Sequence, residues 1–475
     1  MVYKIFFTLL LSFQLARFTS GVAAAPSPPP QNKDWPFDVT ELRAPDGSIT
    51  AKFVSIGATL TELWVKDKYG KARDVVLGYD DPKQLWTDPA HPVFNAIVGR
   101  YANRLKNGTF SIPISRNPTP GAPNVFQIPT NAHNGQVTLH GGIIGWDRRN
   151  WTIERKSRTS VTYKHIDAGH ENWPGTVTAY ATHTVENGGV LKTVVRATAT
   201  EKTPIMLTQH VYWNLDAFQD ATVDTVLDTH HLQITSSRVL DVDSNMIPTG
   251  KFINVSNTAF DFRRAQTIGA RWDATAVLCG EGCQGYDSEW IHDDQKSGRT
   301  SLWSDASGIR VDITSNQPAV QVYTSNWMNT VRKTHHGGAE KSYGKWSAVA
   351  LEQQGYVAAV NTPEWGVDQI SAALLTELNV YMIDPKVLKG CDCQGRQKKA
   401  RIPLSREYYQ HCGQTISVNA PEDISHFGKV GPKLKVNFQN LRCGGLIAST
   451  RQRPRSDAKV EDVLEEIASY ESWDQ

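Results

Sequence analysis

The class of fold is decided by Val177-Thr-Ala-Tyr-Ala-Thr-His-Thr-Val185, a Gly188-Gly189 pair, and Val190-Leu-Lys-Thr-Val-Val-Arg-Ala-Thr198. Apolar and polar residues alternate on both sides of the glycine pair, and β-branched residues are frequent. A period of two places one face of a strand in a core, and a Gly-Gly turn joins antiparallel strands. The segment therefore predicts a long β-hairpin.

Similar short runs extend the β pattern from about residue 36 to residue 365. They lie at residues 56–65, 161–165, 222–227, 232–234 and 309–314. Gly, Asn, Asp and Pro bound these runs, and the sequence has no long amphipathic helical stretch there. Many short strands separated by turn residues predict an all-β fold, a large antiparallel sandwich or barrel over residues 36–370.

The N-terminus has the features of a secretory signal peptide. Lys4 precedes an apolar run over residues 5–15, and small residues follow at 21–25. The run is too short to span a bilayer, so we expect residues 1–25 to be cleaved and the protein to be secreted and extracellular. Residues 26–35 are Pro-rich and are predicted to form an extended spacer.

Secretion would permit disulfides and N-linked glycans. All six cysteines follow residue 278, and Cys279 and Cys283 frame a Gly-rich loop in which a local bridge could form. Glycosylation sequons begin at Asn107, Asn150 and Asn254, and each fits a surface turn. The sequence has no C-x-x-C pairs at zinc spacing, so a structural zinc site is not expected.

The character of the chain changes after about residue 370. Residues 371–380 form an apolar stretch that fits neither period clearly, and the remainder is rich in Lys, Arg, Gly and Cys. We expect residues 371–475 to be an extension, partly disordered. A helix is predicted over 457–471, where apolar residues recur at helical spacing and Ser456 can cap the first turn.

The charge balance argues against polyanionic partners. The chain has 50 basic and 48 acidic side chains, a formal net charge of +2. This balance gives no electrostatic attraction for nucleic acid. No apolar run after the N-terminus approaches the length of a membrane span, so a membrane partner is not expected either.

Several polar residues lie in contexts that suit chemistry. Asn103 and Arg104 stand beside an Asn-Gly turn and offer hydrogen bonds to a polyhydroxylated ligand. His140 precedes two glycines, which would let a ligand approach the backbone closely. His210 and Glu352 each sit in apolar, strand-like runs. A carboxylate there is costly to bury unless it is paired or has a task, and desolvation would raise its pKa into the range of a general base.

Each of these residues also has an ordinary structural explanation. Two arginines by a turn can be an ion-paired hairpin, and a lone strand histidine is more often a satisfied core residue. Adjacent histidines at 230–231 and 335–336 suggest a metal, but neighbouring residues of a strand point to opposite faces. Metal catalysis is therefore not expected.

The motifs taken in order resemble the aldose 1-epimerase family. The specific matches are Asn95-Ala-Ile-Val-Gly-Arg-Tyr-Ala-Asn-Arg104, Leu139-His-Gly-Gly142 with Gly145-Trp-Asp147, and Leu207-Thr-Gln-His210 through Asn214-Leu215. Supporting matches are Asp74-Val-Val-Leu-Gly-Tyr79, Met246-Ile-Pro-Thr-Gly250, Gly285-Tyr-Asp287 and Tyr323-Thr-Ser-Asn-Trp327. The resemblance runs from about residue 38 to 368, and it is the ordered set rather than any one motif that is specific.

This resemblance implies a β-supersandwich with an open sugar cleft and no cofactor. It implies that Glu352 is the general base and His210 the general acid in exchanging the α and β anomers of a free hexose of the glucose or galactose type. The implied sugar-binding set is Asn103, Arg104, His140, Asp287 and Gln321. The expected partner is the free sugar, and the protein is expected to be a monomer or weak dimer.

The sequence departs from the family pattern at three places. Gln209 stands where similar sequences usually have Asn, and Ser288-Glu289 stands where they usually have His-Asn. Both changes bear on substrate preference. The closing Tyr-x-x-x-Thr-x-Tyr-x-Phe strand is not found after Trp365, and a missing strand would leave an unpaired sheet edge.

Two other functions stay open on the sequence alone. A glycoside hydrolase could use Asp287 and Glu352 as its two carboxylates. A non-catalytic carbohydrate-binding protein could keep the same cleft.

Overall fold

The structure, a computed structural model, describes residues 32–112, 124–294 and 298–383. A boundary after Lys389 divides the chain into two units, and all described residues lie in the first. The predicted signal peptide, residues 26–31 of the predicted spacer and the predicted helix at 457–471 lie outside the described residues.

The described part of the chain is built almost entirely of strands. In chain order they are β1 (Val39–Arg43), β2 (Thr50–Val54), β3 (Thr59–Lys66), β4 (Ala72–Asp74), β5 (Ile97–Val98), β6 (Leu105–Lys106), β7 (Thr109–Ser111), β8 (Val125–Gln127), β9 (Val137–Thr138), β10 (Thr152–Lys156), β11 (Ser160–Asp167), β12 (Val177–Glu186), β13 (Val190–Pro204), β14 (Thr208–Gln209), β15 (Tyr212–Trp213), β16 (His230–Ile234), β17 (Arg238–Val242), β18 (Pro248–Asn254), β19 (Gln266–Thr267), β20 (Asp287–Ile291), β21 (Gly298–Ser304), β22 (Arg310–Ser315), β23 (Ala319–Tyr323), β24 (Thr330–Val331), β25 (Ser342–Tyr343), β26 (Val349–Gln354) and β27 (Ile370–Ile383). One short α-helix, α1, spans Gln84–Thr87, and 3₁₀ turns lie at His133–Gly135, Trp146–Arg148, His170–Asn172, Trp272–Ala274, Ala276–Leu278, Thr334–His336, Ala359–Asn361 and Pro363–Trp365. None of these helices is long and apolar enough to span a bilayer.

The predicted hairpin is confirmed and lies in a nine-stranded antiparallel sheet. Strands β12 and β13 pair from Glu186↔Val190 to Val177↔Ala199. The sheet order is β10-β11-β12-β13-β27-β22-β21-β16-β19. Along β12 buried and partly exposed residues alternate without interruption, so one face of the hairpin enters the core as its period required.

A six-stranded antiparallel sheet forms the second layer. Its order is β15-β26-β23-β20-β17-β18. Val320, Val322 and Leu351 project from one face of it into the same apolar core as Val195 and Leu378 of the nine-stranded sheet. The predicted sandwich is therefore correct, and the opposite face of the six-stranded sheet is left for other groups.

The domain does not end at residue 370, and its closing strand is not missing. Strand β27 (Ile370–Ile383) inserts between β13 and β22 and pairs with both along most of its length. The Ala- and Leu-rich composition of residues 371–380 hides the strand period, because these residues favour helices. Pairing on both sides removes the exposed edge that its absence would have left.

The domain also begins earlier than the predicted spacer allows. The backbone turns at residues 33–36, and the Trp35 indole donates a hydrogen bond to the Trp151 carbonyl (2.9 Å). The last residues of the predicted 26–35 spacer therefore belong to the folded domain.

Most of the other predicted strands are confirmed, with two differences. The strand predicted to start at Ile56 starts at Thr59, because Gly57 and Ala58 have φ of +64° and +47°. Residues 222–227 form an irregular loop instead of a strand. Their amides are bonded locally, as in Val223 N to Asp220 O, or to loops, as in Val226 N to Trp346 O.

The predicted local bridge is present between Cys279 and Cys283. Both cysteines are buried, and Cys283 Sγ accepts a hydrogen bond from Asn326 Nδ2 at 3.3 Å. Asn326 Nδ2 also donates to the carbonyl of Tyr286, next to Asp287. The bridge thus contacts the loop from which β20 begins.

Candidate active site

The free face of the six-stranded sheet carries its side chains, many of them polar, in three rows across adjacent strands. The strand register places Tyr212, Ala350, Tyr323 and Asp287 in the first row, Glu352, Gln321 and Glu289 in the second, and Gln354, Ala319 and Ile291 in the third. Directly opposed residues of antiparallel strands have Cβ atoms about 5 Å apart. Residues far apart in sequence are thereby brought into side-chain contact.

Strand β26 explains why a glutamate is held here. All six of its residues are buried. Val349 and Leu351 fill the sandwich core, so the period of two turns Ala350, Glu352 and Gln354 to the other face. Glu352 therefore stands on a rigid central strand and is only 3% exposed.

His210 reaches the same face from the end of β14. Its backbone amide donates to Ala96 O (3.0 Å), and its carbonyl accepts from Asn95 N (2.9 Å). The imidazole packs edge-on against His140, with 5.3 Å between ring centroids, and lies 4.9 Å from the Tyr212 ring. These contacts bring His210 Nε2 to 3.3 Å from Glu352 Oε1.

Burial opposes charge on both members of this pair. Desolvation lowers the pKa of His210 to about 4, while Asp287 and Asp147 act weakly the other way. Desolvation raises the pKa of Glu352 well above its usual value, and Asp287 adds to this rise while Arg104 opposes it. The pair therefore holds one proton over a wide pH range, and burial draws that proton towards the carboxyl.

A hydrogen-bonded set of polar groups adjoins the pair. Arg104 Nη2 donates to Asp287 Oδ2 (3.0 Å), and Gln321 Nε2 donates to Asp287 Oδ1 (2.6 Å). Asn103 Oδ1 accepts from the Arg104 amide (2.8 Å). Arg104 and Asp287 are partly exposed, so the site reaches the surface along this edge.

His140 enters the site from a clamped loop. Both oxygens of Glu171 accept hydrogen bonds from successive backbone amides, those of Ile143 (2.7 Å) and Ile144 (2.6 Å). The carboxylate lies so close to Gly142 that a Cβ there would stand 1.5 Å from Glu171 Oε2. The Trp173 indole donates to the carbonyl of Gly141 (3.0 Å). Glycine is therefore needed at position 142. The side chains of Glu171 and Trp173 fix the backbone of the loop that carries His140.

The structure brings all seven sequence-predicted site residues together. His140, His210 and Glu352 form one contact chain, and Asn103, Arg104, Asp287 and Gln321 form another. The two chains meet where Gln321 lies opposite Glu352 in the register. A hollow of about 700 Å³ in the described surface lies elsewhere and is lined by Phe260, Arg271, Trp272 and Val277 among others, without a histidine–carboxylate pair.

Comparison with known proteins identifies the family. The family model described as aldose 1-epimerase matches residues 38–373. The chain belongs to the aldose 1-epimerase family. A probable aldose 1-epimerase from Arthroderma benhamiae is 35% identical over 70% of this chain and 82% of that protein. Galactose mutarotase from Sus scrofa is 32% identical over 69% of this chain and 88% of that protein.

A solved structure supports the same fold. That of an aldose epimerase homologue from C. elegans has a TM-score of 0.62 and 27% sequence identity, covering 73% of this chain and 99% of that chain.

Two of the residues at which this epimerase-family chain departs from the family pattern do not face the site. Gln209 Oε1 accepts from Thr193 Oγ1 of the nine-stranded sheet (3.0 Å), and Ser288 Oγ donates to Leu278 O (3.0 Å). The expectation that they bear on substrate preference therefore has no support in the geometry. Glu289, in contrast, lies on the face of the site.

Sequence reasoning missed several groups around the pair. Tyr212 and Tyr323 lie in the first row, inside quoted motifs, without having been assigned a role. His91 Nε2 lies 2.5 Å from Asp147 Oδ2, and the two groups act on the pKa of His210 in opposite directions, Asp147 raising it and His91 lowering it. In the sequence, the only indication of this contact was that Asp147 lies close to His140.

The histidines at 335–336 lie in a 3₁₀ turn, so the argument from strand faces does not apply to them. Ligand atoms of Asp74, His335 and His336 lie within 4.8 Å of one another. The Lys333 ammonium, however, is 2.7 Å from Asp74 Oδ2, and both ring nitrogens of His336 have partners. A cation would have to displace Lys333, so the cluster is better described as a buried ion pair with two histidines.

Proposed function

We propose that this chain interconverts the α and β anomers of free aldohexoses of the glucose or galactose type by acid–base catalysed ring opening and reclosure. The observation that carries the proposal is the buried contact of 3.3 Å between His210 Nε2 and Glu352 Oε1 beside the Arg104–Asp287 pair. An isomerase of this kind needs one acid, one base and a polar cradle.

The chemistry suits a single shared proton. In a cyclic hexose the C1 hydroxyl and the ring oxygen are bonded to the same carbon, so a base and an acid must act on atoms very close together. Glu352 removes the hydroxyl proton while His210 protonates the ring oxygen, and the C1–O5 bond breaks to give an aldehyde. Rotation about C1–C2 and reversal of both transfers close the ring on the other face.

The resting proton position is the reverse of the one these roles need, so the proton must pass from Glu352 to His210 before the ring opens. Burial favours the neutral imidazole and the protonated carboxyl, and the ionic form differs only by transfer of the same proton across 3.3 Å. Asn103, Arg104, His140, Asp287 and Gln321 offer both donors and acceptors, as a ring bearing several hydroxyls requires.

Polarimetry tests the proposal. Freshly dissolved α-glucose and α-galactose are expected to reach equilibrium faster with the protein, and Glu352→Gln should lose roughly 10²–10⁴-fold in rate. Asp312→Asn is a matched control, because Asp312 is an equally buried carboxylate on β22, outside the site. Equal rates for parent and Glu352→Gln would reject Glu352 as the base.

The two alternatives make different predictions. A glycoside hydrolase needs a protonated carboxyl and a second carboxylate; Glu352 would be the acid, and Asp287, which accepts hydrogen bonds from Arg104 and Gln321, the second carboxylate. Release of the aglycone from an aryl glycoside would favour that function. A binding protein would leave mutarotation at its uncatalysed rate while still binding the sugar.

We further propose that the protein is a secreted glycoprotein. The signal-like N-terminus, the Cys279–Cys283 bridge and exposure of Asn107, Asn150 and Asn254 support this proposal. Expression through a secretory pathway should yield a new N-terminus near residue 26, a mass shift on deglycosylation, and sedimentation as a monomer or weak dimer. Retention in the cell with residues 1–25 intact would contradict it.

A further inference from the structure

We propose that Glu289 is a positioning residue that sets the upper pH limit of catalysis by acting on Glu352 along the second row of the sheet. The inference rests on the proposed function, since it assigns the role of a third group to the same site. It starts from one observation: a third carboxyl lies on the face of the site, and the mechanism does not use it.

Glu289 is held rigidly in its row. It is 2% exposed. Gln354 Nε2 donates to Oε1 (3.0 Å), reaching over the small Ala319, and the Val357 amide donates to Oε2 (2.9 Å). These contacts fix the carboxyl behind the site, one strand from Gln321 and two strands from Glu352.

Few charged groups share this face with Glu289. Asp287 precedes it on β20, Glu352 stands on β26, Tyr323 on β23 and Tyr356 on the loop that follows β26. Arg104 and Tyr101 approach from the segment after β5, and Arg238 from β17. Of the cations, Arg104 is ion-paired with Asp287 and Arg238 lies 4.5 Å over the Phe252 ring. Among the described residues no cation is hydrogen-bonded to Glu289, whose partners are Gln354 and Val357, so once ionised its carboxylate acts on Glu352 as a like charge.

The consequence is a coupled pair of carboxyls. A negative charge on either one makes ionisation of the other less favourable, so their protons leave at values that belong to the pair. Neighbouring strands lie about 4.8 Å apart, so the two groups are roughly 10 Å from each other. At an effective dielectric constant of about 20, that separation corresponds to a shift of about one pH unit.

The direction in which Glu289 moves the pH profile follows because catalysis needs one proton on the His210–Glu352 pair. Catalysis is lost at high pH when the His210–Glu352 pair loses its one proton. Glu289 makes Glu352 hold that proton more tightly, so removing the Glu289 charge should lower the pH at which activity falls. The acid limb should not move, because Glu289 is protonated there in any case.

The test is a polarimetric pH profile of kcat/KM on the full chain, with α-galactose and a protein-free blank at each pH. Glu289→Gln is expected to move the alkaline limb down by about one pH unit and to leave the acid limb in place. Glu289→Asp keeps the charge and should restore the limb toward the parent. Asp312→Asn removes a buried carboxylate elsewhere and should leave the limb unchanged.

Each outcome is informative. If Glu289→Gln does not fold, Glu289→Asn places a smaller neutral side chain at the same position. The proposal is overturned if the alkaline limb of the neutral variant lies at the same pH as that of the parent. It is also overturned by a uniform loss of rate at every pH, because a purely structural hydrogen bond to Val357 would have that effect. Absence of catalysis in the parent would instead reject the proposed function.

Discussion

Replacing Glu289 by Gln should make the domain more resistant to alkaline pH. Burial raises the pKa of Glu289 from its usual 4.5 to about 8, against the smaller opposing effects of Gln354 and Val357. Between these two values the unfolded chain has released its proton and the folded chain still holds it. The unfolded state then binds fewer protons, so the free energy of unfolding falls as pH rises through this window.

The magnitude follows from the two pKa values. The whole interval corresponds to roughly 5 kcal/mol at about 1.4 kcal/mol per pKa unit, and the part between pH 5 and pH 8 to about 3 kcal/mol. Glutamine has no proton to lose, so this loss is absent from Glu289→Gln. The amide also alters the hydrogen bonds to Gln354 and Val357, but that effect is the same at every pH.

The assay is urea unfolding of parent and variant at several pH values from 5 to 8, followed by tryptophan fluorescence with the Cys279–Cys283 bridge intact. The difference in free energy of unfolding between the two proteins should grow by about 3 kcal/mol in favour of the variant across the range. A difference that is independent of pH would refute the reasoning, because it would mean that Glu289 is already ionised in the folded protein at pH 5.

Three further predictions concern the reacting pair and the His140 loop. Glu352→Gln should keep the circular dichroism spectrum and the thermal midpoint of the parent while losing most of the catalysed rate, and a variant that unfolds would contradict this. Because burial lowers the pKa of His210 to about 4, the acid limb of kcat/KM in the parent should lie near that pH, and a decline beginning at neutral pH would be inconsistent with it. Glu171→Gln sets an amide donor against one of the amide donors of the loop, so the KM for sugar should rise several-fold with a smaller change in kcat, whereas an unchanged KM would show that the clamp does not position His140.

The sequence was sufficient for the parts of the fold that depend on local pattern. The hairpin around Gly188-Gly189 alternates without interruption, and both of its strands were predicted. Strand β27 could not be recognised in the same way, because its Ala- and Leu-rich start is as compatible with a helix as with a strand. What makes it a strand is the pair of neighbours, β13 and β22, that hydrogen-bond to it from either side.

The site was predicted by a different route. Its seven residues came from an ordered set of motifs, which identifies residues but gives no distances. The contact between His210 and Glu352 joins residues 142 positions apart (352 minus 210), and no local pattern can indicate it. Glu289 was visible only as a departure from the family pattern, and its importance depends on a register that places it in line with Gln321 and Glu352.

The burial of the pair has a chemical purpose that follows from the reversibility of the reaction. In water an imidazole holds a proton more tightly than a carboxyl does, and an exposed pair would rest as a stable ion pair. Burial lowers the pKa of His210 and raises that of Glu352 until this order is inverted. Asp287 raises the pKa of both groups, so it stabilises the proton on the pair without favouring either residue as its carrier. Transfer of that one proton across 3.3 Å interconverts the two forms of the pair, and ring opening followed by closure on the other face requires transfer in both directions in every turnover.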